Sequence, residues 1–177
     1  TAPGDTSHLH LGLTEEIIVR WLVQDGRRNQ VVLATKVFVK MGEGVNEEGL
    51  SAYHIRKACE DSLRRLQTDR IDLYQSHRDD PETPIEAVLE AYSRLIEQGK
   101  VRFIGASNFT AERLGAALDL AEKTGLPRYE SLQPQYNLME RAGHEAELEP
   151  LVRREGLGVI NFYGLARGFL TGKYRSA

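Results

Sequence analysis

IDLYQSHRDDPETPIEAVLEAYSRLIEQGKVRFIGA, residues 71–106, is the stretch that decides the fold. Ile71 to Gln75 is a short apolar run of strand length, the kind that is buried on both faces. Pro81 and Pro84 punctuate the loop that follows, and Pro84 suits the first turn of a helix because its missing N–H is not needed there. That helix runs to Gln98, and Gly99 ends it as a C-cap. Val101 to Ala106 is the next strand. A strand, a helix and a second strand in this order argue for parallel pairing with the helix outside the sheet.

The same alternation continues in both directions. Upstream, Thr14 to Gln24 carries Ile17, Ile18, Trp21 and Leu22 at helical spacing. Val31 to Val37 (VVLATKV) reads as a buried strand, and Met41 to Leu50, rich in Gly and Glu, as a loop. Ser51 is a candidate N-cap for a helix to Leu66 whose apolar face is Ile55, Ala58, Cys59, Leu63 and Leu66. Downstream, Thr110 starts a helix that stops at Gly125, and Tyr129 to Pro134 contains a short strand. Glu145 to Glu155 is helical up to Gly156, and Leu157 to Phe162 is a fifth strand. Two closures fit, an open doubly wound sheet or a (β/α)₈ barrel. No GxGxxG follows the first strand, so the usual dinucleotide fingerprint of the open fold is missing. A full barrel needs eight strands and about 250 residues. With about five strands visible in 177 residues, the chain reads as one α/β domain over residues 1–177, a (β/α)₈ TIM barrel that is incomplete in this text.

Composition narrows the function. Net charge is −3 and 41% of residues are apolar, which argues against nucleic acid as the main partner and for an ordinary globular domain. The chain has one cysteine, Cys59, which cannot form an intrachain disulfide and points to a reducing compartment. No stretch approaches the roughly 18 consecutive apolar residues of a membrane span, and Thr1 to His10 lacks the features of a signal peptide. The expectation is a cytoplasmic protein without a membrane partner. The sequence does not indicate an oligomeric state.

Polar or aromatic groups recur where the strands end. Lys36 ends the first, His77 the second and Ser107 with Asn108 the third. Gln133 and Asn137 lie at the fourth, Phe162 and Tyr163 at the fifth. Each has an ordinary explanation alone: a solvated lysine, a satisfied histidine, a helix cap before Thr110, loop amides bonding backbone. Independent ordinary explanations do not predict the recurrence, and in a barrel these ends converge on the mouth where active sites form. The set suits carbonyl reduction. A buried lysine favours the charged form of a neighbouring phenol. A neutral histidine can donate to a carbonyl oxygen, Ser and Asn can bind a carboxamide, and an aromatic ring can stack on a flat heterocycle.

These residues sit in blocks that resemble the aldo-keto reductase family. The blocks are VVLATKV (31–37), SLRRLQTDRIDLYQSH (62–77), GKVRFIGASNF (99–109), SLQPQYNLMER (131–141) and NFYGLARGFLTGKY (161–174). The resemblance covers nearly the whole chain. It implies a (β/α)₈ barrel that binds NADPH without a Rossmann motif and reduces an aldehyde or ketone, a small-molecule carbonyl, to an alcohol. It further implies that Lys36 and His77 are two of four catalytic-site residues, that Ser107, Asn108 and Gln133 surround the nicotinamide carboxamide, and that Phe162, with Tyr163 beside it, takes the ring-stacking position. Gly164, Leu165, Arg167 and Gly168 would follow the cofactor's phosphates. NADPH rather than NADH rests on the family alone.

The pattern departs from the family at the N-terminus. The family's DTAxxYG block supplies an Asp and a proton-donating Tyr. Here Asp5-Thr6-Ser7-His8-Leu9-His10-Leu11-Gly12 matches at Asp5 but has His10 at the tyrosine position. The following TEEII (14–18) resembles the family's next stretch and supports the register. Either His10 replaces the tyrosine, or this piece is a loop, or is joined across missing residues, and the family's Asp and Tyr are not in this sequence; the lack of strand character in TAPGD favours the second reading. The alternatives to a reductase are a non-reducing nucleotide-binding barrel acting as a subunit, or a lyase or epimerase with His10 as base. His8 and His10 without a third ligand make a weak metal site, and none is expected. The loop Phe38–Leu50 and the aromatics Tyr53, Tyr136 and Tyr163 are candidate specificity elements.

Overall fold

The computed structural model describes residues 12–173. Its elements alternate as expected: α1 (Leu13–Leu22), β1 (Ala34–Val37), α2 (Ala52–Leu66), β2 (Ile71–Ser76), α3 (Ile85–Glu97), β3 (Val101–Ser107), α4 (Ala111–Thr124), β4 (Tyr129–Gln133), α5 (Glu149–Glu155) and β5 (Gly158–Val159). The five strands form one parallel sheet in the order β1-β2-β3-β4-β5. The order never reverses. A doubly wound sheet would reverse it at a switch point, so the strands follow one another as staves of a barrel wall do.

Successive strand residues face opposite sides, and the helix-covered side holds the core. Tyr74 in β2, Ile104 in β3 and Leu132 in β4 are fully buried together with Ile55 and Cys59 of α2, Leu89 and Tyr92 of α3 and Leu114 of α4. Burying each large apolar side chain stabilises the fold by about 1.5–3 kcal/mol. Tyr74, Tyr92, Tyr129 and Phe109 stack edge to face at 5.5–6.4 Å between ring centres. Ser51 caps α2 where the sequence placed it, and Thr110, rather than Ser107 or Asn108, is the N-cap of α4. Ser51 Oγ accepts from the His54 N–H and Thr110 Oγ1 from the Arg113 N–H, each at 3.2 Å.

Several helix and strand ends shift by one or two residues, and four differences from the sequence reading have a visible cause. β1 begins at Ala34 rather than Val31. The Leu33 N–H donates instead to the Asp72 carboxylate at 2.9 Å, and Val32 is 79% exposed. β5 is two residues long rather than six. Its partner strand runs into Pro134, which has no N–H to give the ladder, although the Ile160 and Phe162 N–H groups still bond Leu132 O and Pro134 O at 3.0 Å. The fifth helix opens as a π-helical turn, His144–Leu148. It becomes α-helical where Pro150 enters the first turn, a position that needs no donor. Pro84 is the N-cap residue of α3 rather than part of its first turn.

Candidate active site

Because the strands are parallel, all their C-terminal ends lie on one rim. β1 and β2 set the first half of the site. Lys36 lies opposite Gln75 in the ladder. The His77 N–H donates to Val37 O at 2.8 Å, which carries the pairing one step past the strand. Lys36 and His77 line the same cavity, about 370 Å³, together with Thr35 of β1, Glu15 and Ile18 of α1, and Ser62 and Arg65 of α2. That volume is within the range of small-molecule sites. Burial lowers the Lys36 pKa. Burial, then the charges of Lys36 and Arg78, lower that of His77, so its imidazole stays neutral at neutral pH.

β3 and β4 set the second half. Ser107 Oγ–H donates to Gln133 O at 2.8 Å. Asn108, with a left-handed φ of 53°, donates from Nδ2 to His77 O at 2.9 Å and to Ser107 Oγ at 3.1 Å. Hydrogen bonds therefore run along the rim from β1 to β4. Gln133 Oε1 is buried with no partner.

The sheet's other face, away from the helices, adds residues that sequence reasoning missed. Gln75 Nε2 and Ser131 Oγ are both buried without a partner. They close over Gly105 from either side: a Cβ there would stand 2.6 Å from Ser131 Oγ and 3.1 Å from Gln75 Cγ. The available signal was a polar side chain inside an apolar strand, two residues before His77 and two before Gln133.

β5 leads into the remaining set. Phe162 bridges to Gln135, and its ring stands edge to face on Tyr163 at 5.1 Å. The Arg167 guanidinium lies 4.8 Å over the Tyr163 ring. Gly164 and Leu165 make the intervening turn, and Tyr163, Arg167 and Gly168 all have positive φ. The turn closes on itself through the Ala166 and Gly168 N–H groups, bonded to Tyr163 O and Leu165 O, and with Lys173 also against Gly168 it gathers two cations, a charge that suits phosphate.

The structure thus brings Lys36 and His77 into one cavity and joins Ser107, Asn108 and Gln133 to His77 along the same rim. Asn137 is different. Its Oδ1 accepts from the Met139 and Glu140 N–H groups and its Nδ2 donates to Glu140, so it builds its own turn. Tyr136 donates to Glu145 at 2.8 Å, and Tyr53 lies under Arg56 on α2. Asp5, His8 and His10 lie outside the described residues. Among the described residues no group of three or more His, Cys, Asp or Glu could hold a metal, and no helix is long and apolar enough to cross a membrane.

A sequential parallel β/α wall of five strands with polar groups gathered at its C-terminal rim defines the class, an α/β protein built as part of a (β/α)₈ barrel. The profile of the Aldo/keto reductase family matches residues 5–177, and the chain belongs to that family. It is 46% identical over 167 residues to the uncharacterized oxidoreductase YrpG of Bacillus subtilis (strain 168), covering 92% of this chain and 51% of that protein. It is 38% identical over 164 residues to a probable voltage-gated potassium channel subunit beta of Oryza sativa subsp. japonica, 92% and 50% of the two chains. It is 38% identical over 162 residues to the aldo-keto reductase YhdN of B. subtilis, 92% and 47%. The chain spans about half the length of these curated relatives.

Proposed function

We propose that the whole protein is an NADPH-dependent oxidoreductase that reduces an aldehyde or ketone to an alcohol. The observation that carries this reading is the shared cavity of Lys36 and His77, continued along the rim by Ser107, Asn108 and Gln133. The donor set fits the cofactor. Gln133 Oε1 is buried without a partner, one strand from Asn108, and a carboxamide is the kind of group that answers such polar atoms. Ser107, Asn108 and Gln133 would hold the carboxamide, Phe162 and Tyr163 the ring end, and Gly164, Leu165, Arg167 and Gly168 the phosphates. When bound, the cofactor supplies the hydride.

The chain's own residues do the rest. His77, kept neutral, donates an N–H to the substrate's carbonyl oxygen and fixes its direction. Lys36 stabilises negative charge as it develops on that oxygen or on the group that protonates it. Asp5 would pair with Lys36, and His10 stands where the family has its proton-donating tyrosine. The setting is cytoplasmic, and the substrate is a small carbonyl compound. The test is a fluorescence titration of the complete protein with NADPH, followed by turnover on a panel of aldehydes and ketones. Saturable binding with turnover is expected, and no binding at high micromolar NADPH would remove the reading.

A second reading is favoured by His10 and by the relatives named as channel subunits: a barrel that binds the nucleotide without reducing a carbonyl. It predicts binding without turnover, and gain of turnover in His10→Tyr would identify the lost acid as the cause.

A further inference from the structure

We infer that Asn108 is a positioning residue for His77, its amide nitrogen tied to the histidine's backbone while its amide oxygen alone serves the ligand. The inference rests on the proposed function, because it assigns His77 to the substrate carbonyl.

The direction of every bond in this part of the rim is fixed by its partners. His77 O is a backbone carbonyl and can only accept, so the Asn108 atom 2.9 Å away is the NH₂ nitrogen. Ser107 spends its hydroxyl hydrogen on Gln133 O, again a carbonyl, so its Oγ accepts the second N–H of Asn108 at 3.1 Å. Both donors of Asn108 are used. What remains is Oδ1, which accepts only, so a ligand group held there must itself donate, as an amide NH₂ does.

His77 is thereby gripped on both sides of its backbone. Its N–H is bonded to Val37 O of β1, and its C=O receives Asn108 from β3. It follows the last residue of β2, so without Asn108 its carbonyl side would turn to water. The left-handed φ of Asn108 is tolerated by asparagine better than by most residues, and it places a short side chain back toward β2. One side chain therefore meets the ligand with one atom and the carbonyl-orienting histidine with another.

Two substitutions separate the two ends. Asn108→Asp keeps an acceptor oxygen and loses the donor, whereas Asn108→Ala loses both. In the complete protein, the dissociation constant for NADPH is expected to stay within about threefold in Asn108→Asp and to weaken about tenfold in Asn108→Ala, the size of one hydrogen bond. At saturating NADPH, kcat is expected to fall about tenfold in both, because both release His77. Unchanged kcat at saturating NADPH in either variant would overturn the inference and leave Asn108 as a ligand contact only. A second readout needs no activity. In ¹⁵N-labelled protein without cofactor, the Asn108 side-chain NH₂ is expected to exchange slowly with solvent, and the His77 amide resonance to shift in Asn108→Asp. A freely exchanging Asn108 amide would overturn the tie. A protein that bound no NADPH yet kept that amide protected would fail the functional reading while sustaining the tie.

Discussion

Gln75 and Ser76 are neighbours in β2, 2% and 0% exposed, and the protein treats them in opposite ways. Ser76 faces the helices, where its hydroxyl meets Tyr92 at 2.8 Å and Tyr129 at 3.1 Å among edge-to-face rings. Gln75 faces the other side, where its Nε2 has no partner, and Ser131 across Gly105 is in the same condition. A buried polar group without a partner costs roughly 1–3 kcal/mol. The helix side is thus built for stability. The opposite side keeps polar groups available next to Lys36 and His77, as expected of a face that holds a ligand.

The comparison breaks first at Lys36. Lys36→Met is expected to lower turnover on the order of 10²–10³-fold, with the urea midpoint nearly unchanged. Comparable losses in both would make Lys36 a structural residue. On the helix side, Ile104→Ala removes a fully buried side chain and is expected to cost about 2–5 kcal/mol in urea unfolding. Tyr92→Phe deletes one hydroxyl of the Ser76 pair and should cost about 1 kcal/mol. Gln75→Leu is the smallest change, neutral or slightly stabilising to roughly 0.5 kcal/mol, because it removes a buried amide whose Nε2 has no partner. A large loss of stability there would show that Gln75 has a structural partner.

Protonation sharpens the same contrast. Burial is the main cause that lowers the pKa of His77 and of His54, which is packed under the β1–α2 loop. Below the ordinary histidine value of about 6.5, the unfolded chain takes up protons that these folded sites refuse, so stability falls as pH drops from about 6.5 toward the folded values. His54→Gln should flatten that fall in urea midpoints. If neutral His77 is the active form, the acid limb of kcat/KM lies below pH 6.5.

Most of the fold was legible because alternating apolar runs and their Gly, Pro, Ser and Thr punctuation are local signals. The two misread strands were decided from a distance. Asp72, some forty residues on, takes the N–H that would have extended β1, and Pro134 in the partner strand interrupts β5. Within the site, Lys36, His77, Ser107, Asn108 and Gln133 were visible as strand-end residues. Gln75 was not singled out, because a glutamine inside IDLYQ declares its role only once the pleat assigns it a face. Asn137 was read as a candidate by position, but its own turn uses its side chain.

The most direct test is a crystal structure of the complete protein with bound NADP⁺. The account predicts the nicotinamide at the rim, its amide NH₂ within hydrogen-bond distance of Asn108 Oδ1, and its ring facing the cavity shared by Lys36 and His77. A nucleotide bound elsewhere, or a rim in which Lys36 and His77 no longer border one cavity, would contradict it.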